Sequence, residues 1–221
     1  MTLEEAIAKI RPLDHNAMEI AQKRWDGIAK PLHSLGKLET LLIQIAGITG
    51  NAEVDLSRRG LIAMCADNGV VEEGVTQTGQ EVTAIVAENF LKYDTSVGVM
   101  CKQNHAEIFP VDMGMVTDTK VRTDHKIAYG TQNMTKGPAM TREQAVKGLE
   151  AGIDMVRELN DKGYRILATG EMGIGNTTTS SAVASVLLKQ PVEEMTGRGA
   201  GLTSEGLVRK INAIKKAIAL N

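Results

Sequence analysis

Apolar residues along this chain recur in two kinds of pattern, one helical and one strand-like. From Gly36 to Ala46 they repeat every three or four residues, which predicts a helix, and a second helical pattern precedes Pro31, from Asp14 to Ala29. Three short apolar runs bounded by turn residues have the length of buried strands, at Leu61 to Ala66, Ile108 to Val111 and Tyr164 to Ala168. Further helical patterns lie at Glu81 to Lys92, Thr95 to Asn104 and Thr141 to Asn160.

The order of these elements predicts the fold class. Helices between successive strands favour a parallel sheet, because parallel neighbours need a long crossover connection. We therefore expect an α/β fold with a doubly wound, Rossmann-like and mainly parallel sheet in residues 51–221, and a small N-terminal helical lobe in residues 1–50. Residues 116–139 have no sustained periodicity and are expected to form a long connection over the site.

The last helical pattern, Thr203 to Leu220, is not followed by a strand. Three strands make only a small sheet, so the domain is expected to be incomplete at its C-terminus. The spacing of this helix places four apolar residues on one side, which we expect to be uncovered and to favour a homodimer: Leu207, Ile211, Ile214 and Ile218.

Composition argues against several classes of function. With 43% hydrophobic residues the 221-residue chain can bury a full core, and its 25 basic and 27 acidic residues include no cluster suited to nucleic acid. Cys65 and Cys101 lack the C-x-x-C spacing of metal or redox sites, and the four histidines are scattered, so no metal is expected. The acidic N-terminus and the lack of a long apolar run predict a cytoplasmic protein that does not insert into membranes.

The strongest chemical signal is the glycine-rich segment from Gly170 to Thr178, which follows a predicted strand ending at Ala168 and precedes a helix running to about Leu188. Glycines let backbone N–H groups approach an anion, Asn176 or Thr177 can cap the helix, and the helix N-terminus is positive. The segment therefore predicts a phosphate site. It lacks both the Gly-Lys-Ser/Thr of a P-loop and the dinucleotide G-x-G-x-x-G, and an ordinary turn between strand and helix is the alternative.

Other polar groups are expected near this turn. Glu171, at the end of a strand, can hold a ribose hydroxyl or a ring N–H, although an ordinary surface charge is the alternative. Glycines alternate from Gly197 to Gly201, and Lys210, about two turns into the last helix, can reach a phosphate as a point charge or be solvated. The segment Asp67-Asn68-Gly69 follows a predicted strand and belongs either to the ligand-binding edge of the sheet or to a simple turn.

Taken in order, these segments resemble the nicotinate-nucleotide-dimethylbenzimidazole phosphoribosyltransferase family, which builds the lower-ligand nucleotide of cobamides. The resemblance extends over essentially all 221 residues. The motifs that carry it are Lys30 to Glu39, Ala66 to Val70, Gly130 to Met134 with Gly137 to Met140, and Gly170 to Gly173 with Asn176 to Thr178. The chain departs from the family pattern at Asn68, where His is usual, at Gly79, where Pro is usual, and at Leu32-His33, where Pro-Gly is usual.

The resemblance implies phosphoribosyl transfer from nicotinate mononucleotide to 5,6-dimethylbenzimidazole or a related base, giving α-ribazole phosphate and nicotinate, in cobalamin biosynthesis and without a cofactor. It implies a secondary catalytic role for Glu171 beside the ribose and base, whereas the main catalytic base is expected in a Gly-Glu-Gly segment beyond Asn221. The residues implied to bind the base are Thr78, Gln80 and Met172. Those implied to bind phosphate and ribose are Gly173, Gly175, Asn176, Thr177, Thr178, Gly199 and Lys210.

Without the Gly-Glu-Gly segment, the chain is expected to bind nicotinate mononucleotide but to turn it over poorly. A non-catalytic mononucleotide- or base-binding module, or an inactive fragment of the enzyme, is therefore one alternative. An NAD- or flavin-dependent oxidoreductase on a doubly wound sheet is another, although the chain lacks a dinucleotide motif.

Overall fold

The N-terminal residues form a small helical unit. The computed structural model describes all residues, 1–221, and divides into two units, Met1–Arg58 and Arg59–Asn221. The first contains α1 (Leu3–Ala8), α2 (His15–Asp26) and α3 (Lys37–Thr49). The side chain of Asp14 accepts the N–H of Ala17 at 3.0 Å and so caps α2. Both helices predicted here are confirmed, with ends that differ by up to three residues.

The second unit alternates strands and helices. Its strands are β1 (Arg59–Ala66), β2 (Ala106–Gly114) and β3 (Ile166–Met172), and a short 3-10 helix at Gly69–Glu73 follows β1. Its α-helices are α4 (Glu81–Lys92), α5 (Ser96–Gln103), α6 (Arg142–Asp161), α7 (Asn176–Leu188), α8 (Val192–Met195) and α9 (Ser204–Leu220). Residues 115–141 contain no helix or strand, as their lack of periodicity predicted. No helix combines the length and apolar composition needed to cross a membrane.

The three strands form one parallel sheet in the order β2-β1-β3. Ala63, in the central strand, pairs with Pro110 on one side and with Gly170 on the other. The chain first adds β2 beside β1 and then returns to add β3 on the opposite edge. This reversal brings the C-terminal ends of β1 and β3 together, and open α/β sheets bind ligands at such a switch point.

Helices cover both faces of this sheet. Successive side chains of a strand point to opposite faces, and β1 follows this rule. Ile62 lies in a buried cluster with Met155 of α6, whereas Cys65 lies in a separate buried cluster with Ala87 and Phe90 of α4. The predicted doubly wound α/β fold is therefore confirmed.

The helix α9 packs its apolar side against α7, α8 and the 3-10 helix. Ile214 has no exposed surface and belongs to a buried cluster with Val70 and Val75, and Ile211 packs against the same cluster. We expected Leu207, Ile211, Ile214 and Ile218 to form an uncovered face. This prediction is wrong for Ile211 and Ile214, at the centre of the face, because both are covered. The sequence contains no signal that the segment after β1 would fold back onto this helix.

Candidate functional site

The strand β3 continues four residues beyond the predicted end at Ala168 and ends at Met172. That prediction is wrong because Thr169 to Met172 pair with β1, from Ile62 to Cys65, so the sheet extends a segment that is not uniformly apolar. The change places Glu171 in the strand itself. The glycine-rich turn is consequently shorter and consists of residues 173–175.

Two glycines shape the turn between β3 and α7. A Cβ atom on Gly173 would lie 2.2 Å from the carbonyl oxygen of Ala66, so no other residue fits without a shift of the backbone. Gly175 has a φ of 92° and is the N-cap of α7, with no side-chain capping hydrogen bond. The expectation that Asn176 or Thr177 would cap this helix is therefore wrong, because the left-handed turn already places a glycine at the cap position.

The N-terminus of α7 presents unpaired backbone donors. The N–H of Asn176 donates to the carbonyl of Gly173 at 3.0 Å, and that of Thr178 donates to Gly175 at 2.9 Å. The N–H groups of Gly175 and Thr177 have no acceptor in the protein. Thr178 is fully buried, and its hydroxyl oxygen has no hydrogen-bond partner. Free N–H groups and the positive end of the helix dipole make this turn suitable for an anion.

Lys210 reaches this turn from α9. Only 1% of the residue is exposed, and its Nζ atom donates to the hydroxyl of Thr177 at 2.7 Å and to the carbonyl of Gly197 at 3.1 Å. Both acceptors are neutral, and desolvation lowers the pKa of Lys210 without any opposing carboxylate. A buried ammonium group without a counter-ion, beside a helix N-terminus, favours a negatively charged ligand.

The loop before α9 lines the opposite side of the site. Gly199 has a φ of 58°, and a Cβ atom there would lie 2.9 Å from the hydroxyl oxygen of Thr177. The neighbouring Arg198 donates to the carbonyl of Leu202 at 2.8 Å and to the hydroxyl of Ser204 at 3.2 Å. Sequence reasoning did not single out Arg198, although a cation between two glycines of a candidate ligand loop was an available signal.

These elements line a cavity of about 150 Å³, formed by residues 75–78, 173–177 and 198–200 together with Leu202 and Lys210. Among the residues assigned to the base, Thr78 also lines this cavity. Gln80 and Met172 do not: the Gln80 amide donates to the backbone carbonyl of Asn68 at 3.3 Å, and Met172 packs against the buried cluster under α4. Their assignment to a base pocket stays a prediction.

Glu171 is the carboxylate next to the turn. It accepts a hydrogen bond from the side-chain amide of Asn176. Partial desolvation raises the pKa of Glu171, and the hydrogen bond from Asn176 acts in the opposite direction. Glu171 is exposed to solvent and does not line the cavity. Its carboxyl group therefore lies beside the candidate anion site rather than inside it.

A doubly wound sheet whose switch point carries a turn suited to an anion is typical of proteins that bind phosphorylated small molecules. A family model described as "Phosphoribosyltransferase" matches residues 10–221. The nicotinate-nucleotide-dimethylbenzimidazole phosphoribosyltransferase of Ruminiclostridium cellulolyticum is 51% identical over 100% of this chain and 63% of its own length. The protein of the same name from Clostridium acetobutylicum is 49% identical over the same shares.

A solved structure points to the same relatives. The crystal structure of CobT from Thermus thermophilus matches with a TM-score of 0.83 and 36% identity, over 92% of this chain and 62% of that one. The chain therefore belongs to the nicotinate-nucleotide-dimethylbenzimidazole phosphoribosyltransferase family, as the sequence motifs indicated. It spans about 63% of the length of the curated relatives it matches.

Proposed function

We propose that this chain binds nicotinate mononucleotide and takes part in the transfer of its phosphoribosyl group to 5,6-dimethylbenzimidazole or a related base, in cobalamin biosynthesis. The observation that carries the proposal is Lys210, a buried cation without a carboxylate partner that faces the N-terminus of α7. Such an arrangement is costly unless an anion occupies it for part of the protein's working cycle. The phosphate of the mononucleotide is that anion.

Backbone donors and the lysine hold the phosphate in this proposal. The N–H groups of Gly175 and Thr177 donate to its oxygens, and the ammonium group of Lys210 supplies the counter-charge. Asn176 and Thr178 complete the first turn of α7, and Gly199 allows the loop to approach closely. A side chain at position 199 would occupy the space between Thr177 and Lys210.

The reaction displaces nicotinate from the anomeric carbon of the ribose. A ring nitrogen of the incoming base forms the new C–N bond, and the bonding electrons of the old one pass to the pyridinium nitrogen of the leaving nicotinate. The ring N–H proton of the incoming base passes to a general base. Positive charge develops on the ribose as this bond breaks, and a fixed carboxylate nearby stabilises it. Glu171, next to the anion site, has this role in the proposal. Thr78, Gln80 and Met172 would contact the base.

Calorimetry with matched ligands tests the binding step. Nicotinate mononucleotide should bind, and nicotinate riboside, which lacks only the phosphate, should bind much more weakly, because it cannot use Lys210 or the α7 N-terminus. Formation of α-ribazole phosphate, measured with protein freed of host enzyme, tests the chemical step. Equal affinity for the two ligands would contradict the proposed phosphate site, and binding without product would limit this chain to the binding role.

We further propose that the chain works as a homodimer in the cytoplasm. One outer side of α7 carries apolar residues that are mostly exposed, at Val183, Val186 and Leu187, and both cysteines are buried and free, as in a reducing compartment. Light scattering at increasing concentration should show a dimer, and Leu187→Glu should shift it toward monomer. A wild-type protein that stays monomeric at high concentration would contradict self-association.

A further inference from the structure

The segment after β1 forms hydrogen bonds with the phosphate-binding turn and with the start of α7. Asn68 lies two residues beyond the end of β1, and its Nδ2 atom donates to the carbonyl of Ile174 at 3.1 Å. Its Oδ1 atom accepts the hydroxyl of Thr179, in the first turns of α7, at 3.2 Å. Its own carbonyl accepts the amide of Gln80 at 3.3 Å. One residue thus contacts the turn, the helix behind it and the segment that precedes α4.

The N–H of Ile174, which belongs to the preceding peptide unit, is also held by a hydrogen bond. The N–H of Ile174 donates to the hydroxyl of Thr83 at 3.0 Å, and Thr83, in α4, has no exposed surface. Burial raises the pKa of the neighbouring Asp67 carboxyl group, and a hydrogen bond from the hydroxyl of Thr83 opposes that rise. Ile174 is therefore bound through its N–H by one element of the fold and through its C=O by another.

This double attachment matters because Ile174 lies between Gly173 and Gly175. Glycine has more backbone freedom than any other residue, so a turn with two of them has no strong local preference for one conformation. The direction of the N–H groups of Gly175 and Thr177 depends on the conformation adopted at Ile174. Binding groups are effective when the surrounding structure fixes them in advance.

We propose that Asn68 and Thr83 are positioning residues that fix the two peptide units on either side of Ile174 and, through them, the donors of the phosphate-binding turn. Neither residue lines the cavity beside Lys210, so both act through the backbone rather than by contact with the phosphate. The expected effect on phosphate binding rests on the proposed function. The effect of Asn68 and Thr83 on the conformation of the turn can be measured in the free protein.

The first test uses the free protein. Thr83→Val keeps the shape of the side chain and removes the hydroxyl. Hydrogen exchange in the peptide that covers residues 173–179 should therefore become at least about tenfold faster. Thr83→Ser keeps a hydroxyl and should exchange as the wild type does. Thr135→Val is the matched control, because Thr135 is equally buried and its hydroxyl donates to Glu73 at 2.7 Å, away from the turn. Unchanged exchange at the turn in Thr83→Val would overturn the inference, whatever the protein binds.

The second test measures affinity for inorganic phosphate by calorimetry. Thr83→Val removes the hydrogen bond to Ile174 as well as the contact with Asp67, and loss of the first should weaken binding by roughly 5- to 100-fold, with recovery in Thr83→Ser and little change in Thr135→Val. If Thr83→Val does not fold, Thr179→Val, at a half-buried position, removes the hydroxyl that lies 3.2 Å from Oδ1 of Asn68 and 2.9 Å from the carbonyl oxygen of Asn176, and it should show a smaller loss. A wild type that binds no phosphate contradicts the proposed function. If the wild-type protein binds phosphate and both Thr83→Val and Thr179→Val bind it with the affinity of the wild type, the positioning role is contradicted.

Discussion

Replacing Lys210 by methionine should separate anion binding from stability in this protein. The Nζ atom of Lys210 donates to Thr177 at 2.7 Å and to Gly197 at 3.1 Å, and only 1% of the residue is exposed. Methionine has a similar length and volume, so the substitution removes the charge and leaves little empty space. The groups that lose a partner are one hydroxyl and one carbonyl.

The expected magnitudes follow from these contacts. A hydrogen bond to a charged group contributes about 1.5 to 3 kcal/mol, which corresponds to a loss of phosphate affinity of about 10- to 150-fold. Stability should respond differently, because loss of the two hydrogen bonds destabilises the fold while removal of a desolvated, unpaired charge stabilises it. We expect the free energy of unfolding to change by no more than about 2 kcal/mol in either direction.

Two measurements on the same sample decide the outcome: calorimetric titration with inorganic phosphate and chemical denaturation in the absence of ligand. Lys215→Met is the matched control, since Lys215 lies on the same helix, is exposed and pairs with Glu193. It should keep the phosphate affinity of the wild type. A Lys210→Met protein that binds phosphate normally but unfolds several kcal/mol more easily would refute the reasoning and make Lys210 a structural residue.

Three further outcomes are expected. Burial lowers the pKa of Lys210 in the free protein, and a bound anion raises it. Sulfate binding should therefore take up protons, and it should weaken as the pH rises through the pKa that Lys210 has in the free protein. Calorimetric heats that are independent of buffer ionisation at alkaline pH would contradict this. Gly173→Ala places a methyl group 2.2 Å from the carbonyl oxygen of Ala66 and should reduce phosphate affinity at least about tenfold. Gly197→Ala is the control and should keep the affinity, because its Cβ atom meets nothing within 4 Å. Equal affinities of the two variants would show that the turn tolerates the change. Glu171→Gln should lower the rate of α-ribazole phosphate formation by about 10²-fold in an active preparation with little effect on mononucleotide affinity, and an unchanged rate would remove this carboxylate from the reaction.

The sequence by itself determined the fold class, the family and most of the helix positions. The helix at Glu81–Lys92 was predicted with both ends correct, and the end of α7 at Leu188 also agrees. These features depend on residues a few positions apart, because helical periodicity and capping are local. The family motifs are likewise contiguous strings, so they can be recognised without knowing where they lie in space.

Tertiary structure decided what those residues contact. Asn68 and Thr83 hold the turn at Ile174 across 106 and 91 positions of the sequence, and no local pattern predicts a partner at such a distance. Pairing with β1 extended β3 to Met172, although its last residues lack a strand pattern. Lys210 could be read from the sequence as a lysine on a helix, but only the packing of α9 removed it from water and directed it toward Thr177. The chemistry of a charged group depends on its solvent and its neighbours, and both are set by segments far away along the chain.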